Sequence, residues 1–421
     1  MRTSVARLGA VTHAIPAPRR SRDKPVDRRA DRRLRRWAMR ILLTSVLNPW
    51  EAGHGGGQLS THNLAVALSG LGHHVTVAYS ARDLSAVPVD LPYETETVAH
   101  TERIYFAPLK WALRLARRGD RRWDIAHSQG FEGAFLSLVL RRACPLVATS
   151  RHPDPPDLRG IPSRWRPMAR CRWNWDHISP LLARRALMQA DHVVCVSRHS
   201  ESVLRARGYV RSGTPTTVIH NGASLLGVKA ASSRARVLVC VARLDAHKGI
   251  DVLLRALASL GADALPLEIY GEGPEESALR TLARSLGVSD RVTFRGHVPP
   301  RLALARIAEA ETLVLPSRAE NFPRVILEAM ALETPIVATH VGGICEAVES
   351  ERHALLVVPD DPLPLARALT RMSSSEELRR RLATNARERS RDFTWEESAS
   401  ALERLYEGLT RSPSPVRSSR T

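Results

Sequence analysis

Three things are missing from this chain, and each absence closes off a class of protein. No apolar run in its 421 residues approaches the roughly eighteen needed for a membrane-spanning helix. The five cysteines, Cys144, Cys171, Cys195, Cys240 and Cys345, are scattered, with no C-x-x-C pair and no metal-ligand spacing to histidine. That pattern argues against a disulfide framework or a cysteine zinc site and fits buried, reduced thiols in a cytosolic enzyme. No G-x-G-x-x-G occurs either, so the dinucleotide fingerprint is absent.

Positive charge is abundant, yet it sits where a nucleic-acid binder would not place it. The net charge is +19, of which residues 1–38 hold +9 and residues 411–421 hold +3, leaving +7 on residues 39–410. A nucleic-acid binder concentrates charge on a folded face or recognition element. Here most of it lies in two tails rich in Arg, Pro, Ser and Asp, without the apolar content to fold. The first tail lacks the apolar core of a secretory signal. Met39 reads as the natural start, because the first strand begins there at once.

The length suffices for two domains, and 43% hydrophobic residues is a globular composition. Short apolar, β-branched runs alternate with helical patterns. The first set of strands is Ile41–Val46, His74–Ala78, Asp124–His127, Leu146–Thr149, His192–Val196 and Thr217–His220. The second is Arg236–Val241, Leu267–Tyr270, Val292–Arg295, Thr312–Leu315, Ile336–Thr339 and Ala354–Val358. Continuous apolar strands separated by helices imply parallel sheets covered on both faces. The expected fold class is therefore α/β, with two tandem Rossmann-like, doubly wound domains over residues 39–228 and 234–392. The break falls where Gly, Ala, Ser and Lys interrupt the periodicity near Leu225–Ser233. A last helix, capped by Thr394, covers residues 393–410.

The most informative stretch is Leu315–Gly343, LPSRAENFPRVILEAMALETPIVATHVGG. It sets Glu320 and Glu328 eight positions apart around the start of an apolar helix, with Pro323 at the first helical turn. Eight residues of helix span about 12 Å. Paired carboxylates that hydrolyse glycosides stand about 5 to 9.5 Å apart, so this spacing suits two acids at opposite ends of one long ligand. Arg243 and Lys248 follow the first strand of the second domain, and two cations at a strand's carboxyl end suit a diphosphate. Gly55-Gly56-Gly57 follows the first strand of the first domain, where a backbone can approach a ligand and a helix N-terminus faces an anion.

Glu320-Asn-Phe-Pro-Arg-Val-Ile-Leu-Glu328, with Pro335-Ile-Val-Ala-Thr and Val341-Gly-Gly-Ile after it, resembles the E-x7-E segment of the retaining glycosyltransferases of family 4. Arg243-Leu-Asp-Ala-His-Lys248-Gly249 is similar to that family's segment in which an Arg is followed closely by Lys-Gly. The resemblance covers essentially all of residues 39–410. It implies the two-domain glycosyltransferase B architecture, with an interdomain cleft and a terminal helix returning to the first domain. It also implies a donor site for a nucleoside-diphosphate sugar. In that site Glu320 holds sugar hydroxyls, Glu328 the ribose, and Arg243 and Lys248 the diphosphate. Gly56 and Gly57 also contact the diphosphate, and Asn321, Phe322 and Val325 line the site. The loop Gly271-Glu272-Gly273 shapes the nucleotide pocket, and His152 faces the sugar, with His127 as a nearby competitor. Asn221-Gly222 matches the family's N-G turn, but Ala223-Ser224 departs from the residues that usually follow.

The expected reaction is retaining transfer to a hydroxyl, needing no metal and no cofactor beyond the donor. Asp360-Asp361 reads as a plain turn. The expected acceptor is a glycan or its lipid-linked precursor in cell-surface polysaccharide, lipopolysaccharide or glycolipid synthesis. The expected place is the cytoplasm or the inner face of the plasma membrane. Residues 159–185 interleave Trp165, Trp173 and Trp175 with arginines, which suits an anionic membrane surface and equally an acceptor loop packed on its own domain. The rival functions are a nucleotide-sugar epimerase of related fold and a non-catalytic sugar-nucleotide-binding protein.

Overall fold

The computed structural model describes residues 38–47, 49, 56–81, 88, 90–99, 107–117, 123–140, 143–150 and 173–411. His152, most of the basic extension, the tail beyond Arg411 and residues 159–172 of the Trp/Arg segment lie outside them. The chain from Met39 onward forms one compact unit.

The first lobe runs β1 (Arg40–Leu47), α1 (Gly56–Gly70), β2 (His74–Ala81), β3 (Glu94–Ala99), α2 (Ala107–Arg117), β4 (Ile125–Ser128), α3 (Gly133–Leu140), β5 (Leu146–Ser150), α4 (Trp173–Gln189), β6 (His192–Cys195), α5 (Arg198–Ala206) and β7 (Thr216–Val218). The second runs β8 (Ala235–Val241), α6 (Ile250–Leu260), β9 (Leu267–Tyr270), α7 (Glu276–Ser285), β10 (Val292–Gly296), α8 (Pro300–Glu309), β11 (Ala310–Leu315), α9 (Arg324–Ala331), β12 (Ile336–Thr339), α10 (Ile344–Ala347), β13 (Leu355–Val357), α11 (Pro362–Ser374) and α12 (Glu376–Ser390). A last helix, α13 (Trp395–Arg411), completes the chain's described part.

Both sheets are parallel, in the orders β3-β2-β1-β4-β5-β6-β7 and β10-β9-β8-β11-β12-β13. Each therefore reverses its direction of travel once, between β1 and β4 in the first and between β8 and β11 in the second. Central strands are deeply buried, as in Leu238, Val239 and Cys240 of β8 and all four residues of β12, because helices cover both faces.

Eleven of the twelve expected strands overlap these ranges closely, and Thr217–His220 overlaps β7 by two residues. The seventh strand of the first sheet, β3, was not expected. It is ETETVA at the sheet edge, with only Val98 buried. Edge strands carry charge to discourage further pairing, and that charge hides the strand from a search for apolar runs. Two helix starts also differ. Helix α1 begins at Gly56 rather than near Gln58, and α9 begins at Arg324 with Pro323 as its cap. Glu320 therefore precedes the helix, so a helical rise does not measure its distance to Glu328.

Helix α13 returns to the first lobe. Trp395, Ala399, Leu402 and Tyr406 recur at helical spacing and pack with Ile41, Leu43, Val77 and Ile125. Thr394 caps the helix by accepting from the Glu397 amide at 3.1 Å. The connecting segment is held on the second lobe, where Ala223, Leu225, Leu226, Val228 and Ala231 rest on its core. Arg234 then donates to the carbonyls of Ala308, Ala310, Leu332 and Glu333 and to Thr334 Oγ1, tying the entrance of β8 to α8 and α9.

Candidate functional site

A parallel sheet that reverses its winding leaves a crevice at the carboxyl ends of the two strands flanking the switch. In the second lobe those strands are β8 and β11. The loop after β8 carries Arg243 and Lys248, and the loop after β11 carries Ser317 to Phe322.

The two loops meet in one charged contact. Lys248 Nζ donates to Glu320 Oε1 at 2.6 Å, and Ser317 Oγ donates to the same oxygen at 2.8 Å. The lysine and glutamate side chains are only 18% and 8% exposed. Several features force this proximity. Gly249 ends the 3-10 turn Ala246–Lys248 with φ of 64°, and a Cβ there would stand 2.1 Å from the Pro316 carbonyl. Arg318 holds both carboxylate oxygens of Asp251 at 2.8 Å, its amide donates to the His247 carbonyl at 2.7 Å, and its guanidinium reaches the Ala246 carbonyl and Asp360. On the other side the Gly343 amide donates to the Glu320 carbonyl at 3.1 Å.

Gly271 and Gly273, expected in the nucleotide pocket, sit against the backbone of the Arg243 loop. A Cβ on either would meet the carbonyl of Ala242 at 2.0 Å or of Leu244 at 2.4 Å. Arg243 itself is largely exposed and pairs with Asp245 at 2.8 Å. Gly56 and Gly57 come from the first lobe, in the opening turn of α1. Phe322 turns its ring into the junction between the lobes, 4.5 Å from His220 and 5.4 Å from Phe393, so its side chain is committed to packing. Val325 is half-buried against the same core. Asn321 lies beneath Gly343, where a Cβ would be 1.7 Å from the asparagine carbonyl.

His127 does not compete for a role at the sugar. It is fully buried, with Nδ1 bonded to the Tyr406 hydroxyl and Nε2 to Thr149 Oγ1 at 2.6 Å. Both ring nitrogens are spent joining α13 to β4 and β5. Asp360-Asp361 is likewise structural: Asp361 caps α11 by accepting from the Leu363 amide at 3.0 Å.

Glu328 lies in the second turn of α9, 3.7 Å from Arg324, and its side chain is 12% exposed. Burial pushes its carboxyl above the ordinary value, and the Arg324 guanidinium opposes that rise. A group whose folded-state pKa is raised contributes stability below its unfolded pKa and loses it as pH rises through the folded one. Glu328→Gln is therefore expected to raise the melting temperature at pH 7, with the gain shrinking toward pH 4. Melting curves of both proteins across that range check it, and a gain independent of pH would show that desolvation of the charge is not its source.

Ser317, Arg318 and Glu346 were not singled out from sequence. Each is a lone polar residue without a spacing signature; only the folded loops show what they touch.

Comparison with known proteins agrees with this architecture. The family model described as "Glycosyltransferase Family 4" matches residues 54–225, and "Glycosyl transferases group 1" matches residues 227–389. A D-inositol 3-phosphate glycosyltransferase of Corynebacterium jeikeium is 37% identical over 42% of this chain and 44% of its own length, so that alignment spans less than half of the relative. An MMP alpha-(1->4)-mannosyltransferase of Mycolicibacterium hassiacum is 30% identical over 71% of this chain and 75% of its own. Among solved structures, sucrose-phosphate synthase from Thermosynechococcus elongatus superposes with a TM-score of 0.73 at 24% identity, covering 89% of this chain and all of that one. Anabaena Alr3699/HepE in complex with UDP-glucose gives 0.69 at 20% identity, covering 88% of this chain and all of that one. Two parallel sheets in tandem, a returning C-terminal helix and both family matches place this chain in the family 4, group 1 glycosyltransferases of glycosyltransferase B fold.

Proposed function

We propose that this protein transfers a sugar from a nucleoside-diphosphate sugar to a hydroxyl acceptor with retention of anomeric configuration. The Lys248–Glu320 contact at the switch point of the second sheet carries the proposal. A cation there meets the donor diphosphate, and a carboxylate beside it grips sugar hydroxyls, so the bond to be broken lies alongside the pair. Arg243 supplies the second cation, Gly56 and Gly57 approach the diphosphate from the first lobe, and Glu328 accepts from the ribose. Gly271 and Gly273 shape the nucleotide pocket through the Arg243 loop. Asn321, Phe322 and Val325 line the donor with their backbone, and the role at the sugar is assigned to His152 by resemblance alone. The Anabaena protein of similar fold was solved with UDP-glucose, which supports a nucleotide-sugar donor.

Catalysis on this reading rests on positioning and on stabilising charge at the leaving diphosphate. The adjacent Cys240 is no nucleophile: burial pushes its thiol up to about 12, so it carries no thiolate at neutral pH. The leaving phosphate, paired with Lys248 and Arg243, takes the acceptor's proton on the same face. These two cations take the counter-charge role, so transfer proceeds without a metal. The acceptor is a glycan or lipid-linked hydroxyl in cell-surface polysaccharide, lipopolysaccharide or glycolipid synthesis, reached in the cytoplasm or at the anionic inner face of the plasma membrane. Among the described residues no helix is long and apolar enough to cross a membrane.

Thermal-shift screening against UDP-, GDP- and ADP-sugars tests the donor site directly. One nucleotide series is expected to raise the melting temperature, and to do so equally in EDTA. No shift with any of the three contradicts the donor reading, and release of an altered free sugar without acceptor would identify an epimerase.

A further inference from the structure

We infer that Glu346 is a positioning residue that registers the sugar-gripping loop of the second lobe on the first lobe; this rests on the donor-site reading above.

Helix α5 of the first lobe begins with three amides that no turn of its own can satisfy. Its cap, Ser197, takes only one of them, accepting from the Ser200 amide at 3.0 Å, while Ser200 Oγ returns the bond to the Ser197 amide at 3.1 Å. The other two are served from the opposite lobe. Glu346 Oε2 accepts from the Arg198 amide at 2.9 Å, and Oε1 accepts from the His199 amide at 2.8 Å. Both oxygens of one carboxylate thus complete the cap of a helix to which it does not belong, at the end where a helix favours negative charge. His220, which follows the last strand of the first lobe, adds its Nε2 to Glu346 Oε2 at 3.2 Å.

The other end of this contact reaches Glu320 in a few bonds. Glu346 sits on α10, directly after the Gly342-Gly343 turn, and its amide donates to the Gly343 carbonyl at 3.2 Å. The Gly343 amide in turn holds the Glu320 carbonyl at 3.1 Å. Arg389 of α12 fixes the same short helix by donating to the Glu346 carbonyl at 3.3 Å. His220, besides reaching Glu346, lies over Phe322, two residues beyond Glu320, with ring centroids 4.5 Å apart. The carboxylate of Glu346 is therefore one point, beside the Asn221 amide on the Phe322 carbonyl and the His220 ring on Phe322, where the first lobe is joined to the backbone behind the proposed sugar grip. A shift of about 1 Å at a reacting pair can cost a hundredfold in rate, so a loosened register falls on turnover. Donor binding, which on this reading rests mainly on second-lobe side chains, is largely spared.

The test uses the full chain and three proteins: wild type, Glu346→Gln and Glu346→Ala. Hydrogen exchange of the Arg198 and His199 amides reads the contact itself, calorimetry with UDP reads the donor site, and turnover with UDP-glucose reads transfer. Glu346→Ala is expected to accelerate exchange at both amides, change the UDP dissociation constant less than twofold and lower kcat at least tenfold. Glu346→Gln keeps one good acceptor oxygen and is expected to fall between the two. Unchanged exchange, unchanged kcat, or UDP affinity falling in parallel with kcat would each overturn the proposal. If wild type binds no UDP, the donor reading fails for that nucleotide, and the exchange rates alone then decide whether Glu346 joins the lobes.

Discussion

Replacing Lys248 by alanine is expected to lower kcat by about two to three orders of magnitude, the loss typical of removing one preorganised stabiliser of transition-state charge. Glu320→Ala is expected to do the same. The two side chains are joined at 2.6 Å, so each variant also disturbs the partner it leaves behind. Without Lys248, the Glu320 carboxylate keeps the Ser317 hydroxyl but loses the cation that stood 2.6 Å from it. A buried charge that loses its partner either moves or takes up a proton, and either change weakens its hold on sugar hydroxyls. Residues that act as one unit are strongly non-additive. The double variant is therefore expected to be little worse than the poorer single variant. Steady-state kinetics of the three proteins with the donor found by screening, with melting temperatures alongside, measure this. Near-normal kcat in both single variants would reject the site, whereas additive losses would show that lysine and glutamate act at separate steps.

Much of this site is legible in the sequence because parallel sheets write themselves plainly into it. Strands β8 and β12 carry unbroken apolar runs, and a strand followed by cations or by a Gly-Gly turn can be placed without a structure. Glu320 and Lys248 stand out by motif and position, and the fold brings them together. What stays hidden depends on contacts between distant segments. The Arg318 fork onto Asp251 joins residues 67 positions apart, and Glu346 meets helix α5 across 148 positions. Neither leaves a periodic trace. Phe322 shows the opposite limit: its place in the motif suggests a ligand, but its ring is needed between His220 and Phe393. His127 is left open by sequence because a strand-end histidine looks the same whether it faces a substrate or, as here, Tyr406 and Thr149.

The Gly-Gly turn gives the second large effect. Gly342 has φ of 50°, and a Cβ built on it would lie 1.8 Å from the carbonyl oxygen of Glu320. The obstacle is backbone, which cannot swing aside as a flexible side chain can. Gly342→Ala must then either break the turn or push the Glu320 loop outward. Gly287 separates this steric effect from simple backbone strain. It has φ of 68°, and a Cβ there would meet nothing within 4 Å, so Gly287→Ala carries only the conformational penalty, about 1–2 kcal/mol. Gly342→Ala is expected to cost more than that in unfolding free energy and, at temperatures where it remains folded, to lower kcat about a hundredfold through displacement of Glu320. Gly287→Ala should leave kcat unchanged. Denaturant melts give the first quantity and single-turnover kinetics the second. If Gly342→Ala behaves like Gly287→Ala in both, the turn does not set the position of the Glu320 carboxylate.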